Sequence, residues 1–269
     1  MDFLNSIFKF KDQGTVCGLC GELQILYYLT YFNNYDDNVL IVTNSLYDSN
    51  KIYQKLKTYT DDVFLFPMDD FLASVAVALS PDLKVKRLEV LERIKSNKKA
   101  IIVTNLMGYL RYLPSKKDQD KNIIKLSINN EYNREELIDK LIDLGYKQTS
   151  LVTSTGEYAL RGYIIDIFPI EADHPIRIEF FGDEIDSIRL FNESTQLSLD
   201  KIDEYLILPF QEVISDEHNS LYDYLSNPNV FYVDYNQILN GYNKICDDIK
   251  QFKESKHIEN EYKYMYEFD

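Results

Sequence analysis

Apolar residues follow two different rhythms along this chain. In the first third they come as short unbroken runs: Val39–Thr43, Val63–Phe66 closed by Pro67, and residues 100–104. Strands buried on both faces read this way, so these runs predict a parallel sheet covered by helices. Helical patterns lie between them. Ser45 is placed to cap a helix over residues 46–59, with Ile52 and Leu56 on one face. Ser80-Pro81-Asp82 opens another, with an apolar stripe of Leu83, Leu88, Leu91 and Ile94. Its Lys84, Lys86, Arg87 and Arg93 are expected in solvent. Strand, helix, strand at this spacing favours right-handed crossovers.

The rhythm changes after residues 114–121, a polar stretch with no apolar residue after Pro114 that reads as a linker. Asn133 precedes an amphipathic helix over 135–144, stopped by Gly145. Alternation with period two follows. Residues 157–168 read as one strand with a bulge at Gly162, residues 176–181 as a second, and 185–191 as a third after a turn at Gly182-Asp183-Glu184. From Leu206 the first rhythm resumes. Asn219 can cap a short helix through Leu225, a buried strand runs over 229–233, and a long helix begins at Asn236. The pattern predicts an α/β domain (residues 1–117 and 196–269) interrupted by a small α+β insertion with an antiparallel sheet (118–195).

Composition narrows the function classes. The 269 residues carry 29 Lys and Arg against 44 Asp and Glu, a net charge of −15. That balance argues against general DNA coating, which needs a basic surface. It is uneven, however: residues 84–125 hold 12 basic and 4 acidic side chains. This stretch is either the solvated face of helices or a contact for an acidic partner or nucleic acid. Three cysteines and no signal-peptide pattern point to a reducing cytoplasm, and no run of about 18 apolar residues predicts a membrane span.

Candidate chemistry is sparse. Gly14-Thr-Val-Cys17-Gly18-Leu-Cys20-Gly21-Glu22 has the glycine spacing of a phosphate cradle. A working phosphate loop also needs a Lys for the phosphate charge and a hydroxyl for magnesium. No Lys or Arg occurs between Lys11 and Lys51, and Gly21 is followed by the carboxylate of Glu22. The loop, marked by Gly18, Gly21 and Glu22, therefore reads as degenerate, with no cofactor expected. Cys17-x-x-Cys20 lacks a matching second pair for zinc. His174, His218 and His257 stand apart, and no catalytic set forms around them. Asp166, Glu171 and Asp173 fit a strand end and its acidic turn. The richest feature is Arg161, Arg177 and Phe181. Period two puts Arg177, Glu179 and Phe181 on one strand face and Ile176, Ile178 and Phe180 on the other. An exposed Arg beside an aromatic is the composition of an interface anchor. Equally, Phe181 could pack under a loop while the Arg pairs with Glu179 or Asp183.

Two long motifs carry a resemblance. Gly156-Glu-Tyr-Ala-Leu-Arg161-Gly-Tyr-Ile-Ile-Asp166-Ile-Phe-Pro169, followed by His174-Pro-Ile-Arg177-Ile-Glu-Phe-Phe181-Gly-Asp-Glu-Ile-Asp-Ser-Ile-Arg189, resembles the transcription-repair coupling factors. The stretch from Phe66-Pro-Met to Val90-Leu91 resembles their Gram-positive members, and Leu208-Pro209 is a third match. The likeness spans roughly residues 10–240. It implies an N-terminal module related to the excision-nuclease subunit UvrB, with a parallel-sheet, P-loop-NTPase-like fold whose nucleotide site is lost. It further implies that the insertion recruits UvrA, with Arg161, Arg177 and Phe181 on the family's interaction positions. RNA polymerase, DNA and ATP-driven translocation would belong to later domains, and the parent's C-terminal region could mask the module. One departure stands out. Family members carry a long helical stretch after the Leu-Pro segment, whereas only residues 210–219 separate it here from Ser220-Leu-Tyr-Asp-Tyr-Leu225.

Overall fold

The computed structural model describes all residues except 1–6, 11–12, 70–80, 97, 116–122, 171, 211–217, 256–264 and 269. In chain order its elements are α1 (Glu22–Asn34), β1 (Val39–Thr43), α2 (Leu46–Lys57), β2 (Val63–Phe66), α3 (Pro81–Lys95), β3 (Ile101–Asn105) and α4 (Leu106–Leu110). There follow β4 (Ile124–Ser127), α5 (Arg134–Asp143), β5 (Lys147–Gln148), β6 (Glu157–Arg161), β7 (Ile164–Ile167), β8 (Ile176–Phe181), β9 (Glu184–Phe191), β10 (Ser198–Ile202) and β11 (Glu204–Ile207). The chain continues through α6 (Leu221–Tyr224), β12 (Asn229–Tyr232) and α7 (Tyr235–Ser255). Two compact units result: residues 1–113 with 219–269, and residues 114–218.

The first unit is a parallel sheet in the order β12-β1-β3-β2. Its apolar runs are unbroken because both faces are covered. Leu40, Val42 and Ile102 pack with Val90, Leu91 and Ile94 of α3 and with Ile238 of α7. Val39, Ile41, Ile101 and Val103 pack on the other side with α1 and with Ile52 and Leu56 of α2. Ser45 caps α2, its side chain accepting from the Asp48 N–H. Two local expectations are corrected. Arg87 is fully buried, donating Nη1 to the Pro67 carbonyl at 3.0 Å, because the inward face of α3 is wider than the expected stripe and takes in positions 87 and 90. Ser220, rather than Asn219, caps α6, in a reciprocal capping box with Asp223.

The second unit carries a six-stranded sheet, β10-β9-β8-β7-β6-β5, antiparallel except for the short β5–β6 pair, and a separate antiparallel pair of β11 with β4. Helix α5 is capped as expected, the Asn133 side chain accepting from the N–H groups of Glu135 and Glu136. It buries Leu137 and Leu141 in one core with Ile165, Ile167, Ile176, Ile178, Phe180, Ile185 and Ile188. The expected bulged strand over 157–168 is instead a hairpin. Arg161 pairs with Ile164 across the two-residue turn Gly162-Tyr163, with Gly162 at φ 57°. Glycine takes that conformation without a Cβ clash, so the chain reverses where a bulge was expected. The sheet is also wider than the three strands read from the sequence. Residues 198–202 and 204–207, assigned there to the returning α/β part, pair with β9 and β4.

Candidate interaction surface on the inserted sheet

The strand registers decide what shares a face. Arg161, Ile164, Glu179 and Ser187 lie in one cross-strand row, and Ala159, Asp166, Arg177 and Arg189 in another, two positions along. Side chains paired across antiparallel strands point to the same side, so both rows share the face opposite the helix-covered core. Phe181 extends this face at the end of β8. The turns Gly162-Tyr163 and Gly182-Asp183 close the same end of the sheet, because β6 and β8 run in the same direction. Gly182 sits at φ 67° and supplies the second reversal as Gly162 does the first.

This face is covered at one end and open at the other. At the closed end Val152, Ala159, Phe168 and Phe191 form a small apolar cluster under the connecting loops. At the turn end Phe181 is 81% exposed and Tyr163 is 71% exposed. Phe180, its neighbour on β8, is 5% exposed on the core side. The period-two assignment of 176–181 is therefore borne out, and Phe181 does not pack under a loop.

The two arginines stand differently. Arg161 is exposed beside the turn. Arg177 is not: its side chain is 16% exposed, and its fork meets the fully buried Asp166 through Nε–Oδ1 at 2.7 Å and Nη2–Oδ2 at 2.9 Å. It also donates to the Gln196 side-chain Oε1 at 3.2 Å and carbonyl at 3.4 Å, and its guanidinium lies 4.4 Å from the Phe191 ring centroid. The Asp166 hydrogen bond holds the Arg177 guanidinium above its ordinary pKa. The expected partners for this Arg, Glu179 or Asp183, are not the ones found. Glu179 instead pairs with Arg189 and accepts from the Ser187 hydroxyl at 3.0 Å. The reversal at Gly162 brings Tyr163 and Ile164 to this end, which a continuous strand over 157–168 does not, and the Glu179–Arg189 pair follows from the register of β8 against β9, which the sequence does not signal.

The remaining candidates fall elsewhere. Residues 14–21 form an exposed loop leading directly into α1, whose N-cap is Gly21 with no side-chain cap. Glu22 opens the helix and pairs with Lys55 at 2.6 Å. Among the described residues no strand precedes this loop. Cys17 and Cys20 are exposed free thiols and Cys246 is a half-buried one. No group of three or more His, Cys, Asp or Glu suited to a metal occurs among the described residues. His174 Nδ1 lies 3.5 Å from Glu193, Asp173 is exposed, and His257 and Glu171 lie outside the described residues. The basic stretch 84–125 is largely tied down where it is described. Arg87 is buried, Arg93 meets Asp62 and the Phe64 ring, Lys95 meets Glu92, Lys99 lies over Phe32, and Lys125 pairs with Glu204. Among the described residues, no helix is long and apolar enough to cross a membrane.

Comparison with known proteins agrees with this geometry. Residues 124–212 match the UvrB interaction domain. The chain is 32% identical over 216 residues to a transcription-repair-coupling factor of Staphylococcus aureus (strain bovine RF122 / ET3-1), covering 80% of this chain and 18% of that protein. It is 28% identical over 213 residues to the transcription-repair-coupling factor of Bacillus subtilis (strain 168), covering 78% of this chain and 18% of that protein. The chain thus spans about a fifth of the length of these relatives. Over some four-fifths of its length the chain is homologous to transcription-repair-coupling factors, and its inserted unit matches the UvrB interaction domain.

Proposed function

We propose that this chain is a non-catalytic recruitment module that binds the damage-recognition subunit UvrA through the turn end of the inserted sheet. The observation that carries the reading is Phe181. A large aromatic stands 81% in solvent at the end of a strand whose alternate residues are buried, on the same face as exposed Arg161. An exposed aromatic and an exposed Arg on one face are the usual anchors of a protein interface. Arg161, Arg177 and Phe181 are the candidate site, with Arg177 supporting it from the half-buried row behind.

On the same reading the first unit is a P-loop-NTPase-like domain that has lost its nucleotide site. The glycine loop remains, but its helix opens on the Glu22 carboxylate instead of a phosphate-binding Lys. Contact with RNA polymerase and ATP-driven movement on DNA then reside in other parts of the longer cytoplasmic protein, which could also mask this surface. Capture of purified UvrA by the 269-residue chain tests the proposal. Retention by the wild-type chain, with at least about 30-fold weaker binding by Arg161→Ala and Phe181→Ala, is expected. Equal retention by both variants overturns it.

A further inference from the structure

We infer that the two arginines of this surface have separate tasks: Arg161 meets a carboxylate of the partner, while Arg177 is a positioning residue that acts through Asp166 and Gln196. The inference rests on the recruitment reading above and assigns roles within it. A guanidinium has five N–H donors. In Arg177 the Nε donor and both Nη2 donors point at Asp166 and the Gln196 side chain, and one Nη1 donor points at the Gln196 carbonyl. One N–H is left, too few for the two-pronged grip that makes Arg an anchor for carboxylates. One face of its plane is also covered by the Phe191 ring.

What Arg177 holds is specific. Gln196 has a positive φ of 62°, and its side-chain amide donates to the Glu193 carbonyl at 2.8 Å. Asn192 closes the same turn by accepting from the N–H groups of Ser194 and Thr195. Arg177 thus ties the turn 192–197 and strand β7 to β8, the strand that ends in Phe181. Arg161 has the opposite character. It is exposed at the hairpin turn, with its whole fork available and the Phe181 end of β8 on the same face. The partner that fits this surface presents one carboxylate for Arg161 and an apolar recess for the Phe181 ring.

The test measures equilibrium binding of purified UvrA to the 269-residue chain at low and moderate salt. The variants are Arg161→Ala, Arg161→Lys, Arg177→Ala, Asp166→Asn, Gln196→Ala, Phe181→Ala and the double variant Arg177→Ala/Asp166→Asn. Asp166 is fully buried and cannot touch a partner. If Arg177 acts through it, Asp166→Asn and Arg177→Ala weaken binding by the same factor, about tenfold, and the double variant is no weaker than either. Gln196→Ala, at the surface turn, shows a smaller loss in the same direction and keeps the test open if Asp166→Asn folds poorly. Arg161→Ala weakens binding about 30-fold or more and flattens its salt dependence, Arg161→Lys restores only part, and Arg177→Ala leaves the salt dependence unchanged. Loss of binding in Arg177→Ala with wild-type binding by Asp166→Asn and Gln196→Ala makes Arg177 a direct contact and overturns the inference alone. Wild-type binding by every variant, Phe181→Ala included, overturns the recruitment reading and the inference with it.

Discussion

Phe180 and Phe181 are consecutive residues of one strand, and replacing each with Ala should give opposite results. Phe180 is 5% exposed and packs in the cluster formed by α5 and the core-facing isoleucines of β7, β8 and β9. Removing its ring leaves a cavity in close-packed surroundings, a loss of about 3–5 kcal/mol. Phe181 is 81% exposed, so its ring gains little from folding and its removal should change stability by less than about 1 kcal/mol. For a unit of this size, each kcal/mol moves the midpoint by roughly 4–8 °C. Phe180→Ala should therefore melt at least about 10 °C lower, while Phe181→Ala melts within a few degrees of wild type. Thermal unfolding of both variants, followed by near-ultraviolet circular dichroism and confirmed by urea titration at fixed m-value, gives the comparison. Similar losses for the two would mean that Phe181 is covered in solution and is not an exposed anchor.

Three further outcomes are expected. Burial pushes the Tyr28 phenol up to about 12, so the folded state keeps it neutral while the unfolded chain ionises near 10. Its stabilising contribution is intact below about pH 10 and is lost as pH rises to about 12, by about 2–3 kcal/mol; urea unfolding of Tyr28→Phe should show a shallower alkaline decline, and an unchanged slope refutes this. Asn133→Ala removes the acceptor for two N–H groups at the start of α5 and should cost about 1 kcal/mol, with Asn133→Asp close to wild type, as read by chemical denaturation. Glu22→Lys restores a cation to the glycine loop without a magnesium ligand or a catalytic carboxylate. Phosphate release from ATP with magnesium should stay at background, and turnover would show that the loop retains a working site.

Legibility in the sequence followed the strength of the local signal. Val39–Thr43 and residues 100–104 are readable as buried parallel strands because the runs are too short for a buried helix and rich in β-branched residues. The caps at Ser45 and Asn133 were readable because their side chains act within three residues. The hairpin at Gly162 was not. A glycine inside an alternating strand is compatible with a bulge or a reversal, and only the pairing of β6 with β7, and of β7 with β8, distinguishes them. Arg87 misled because charge normally marks the wet side of a helix, whereas here its guanidinium reaches a carbonyl some 20 residues upstream. Arg177 misled in a related way. Strand period correctly gave its face, but period says nothing about whether loops cover that face. The partner that matters, Asp166, comes from the neighbouring strand β7, which exists as a separate strand only because the chain reverses at Gly162.

The two glycine turns have a kinetic consequence. Each is only two residues long and is locked between paired strands, so the backbone beneath Arg161 and Phe181 has almost no freedom left to lose. A partner docking there meets a template already in its bound shape, and the ordering cost that loop-borne epitopes incur is small. Association should then run at the ordinary docking rate, about 10⁵–10⁷ M⁻¹s⁻¹, in a single phase with no slow rearrangement behind it. Differences among surface variants should emerge in how long the complex lasts, not in how fast it forms.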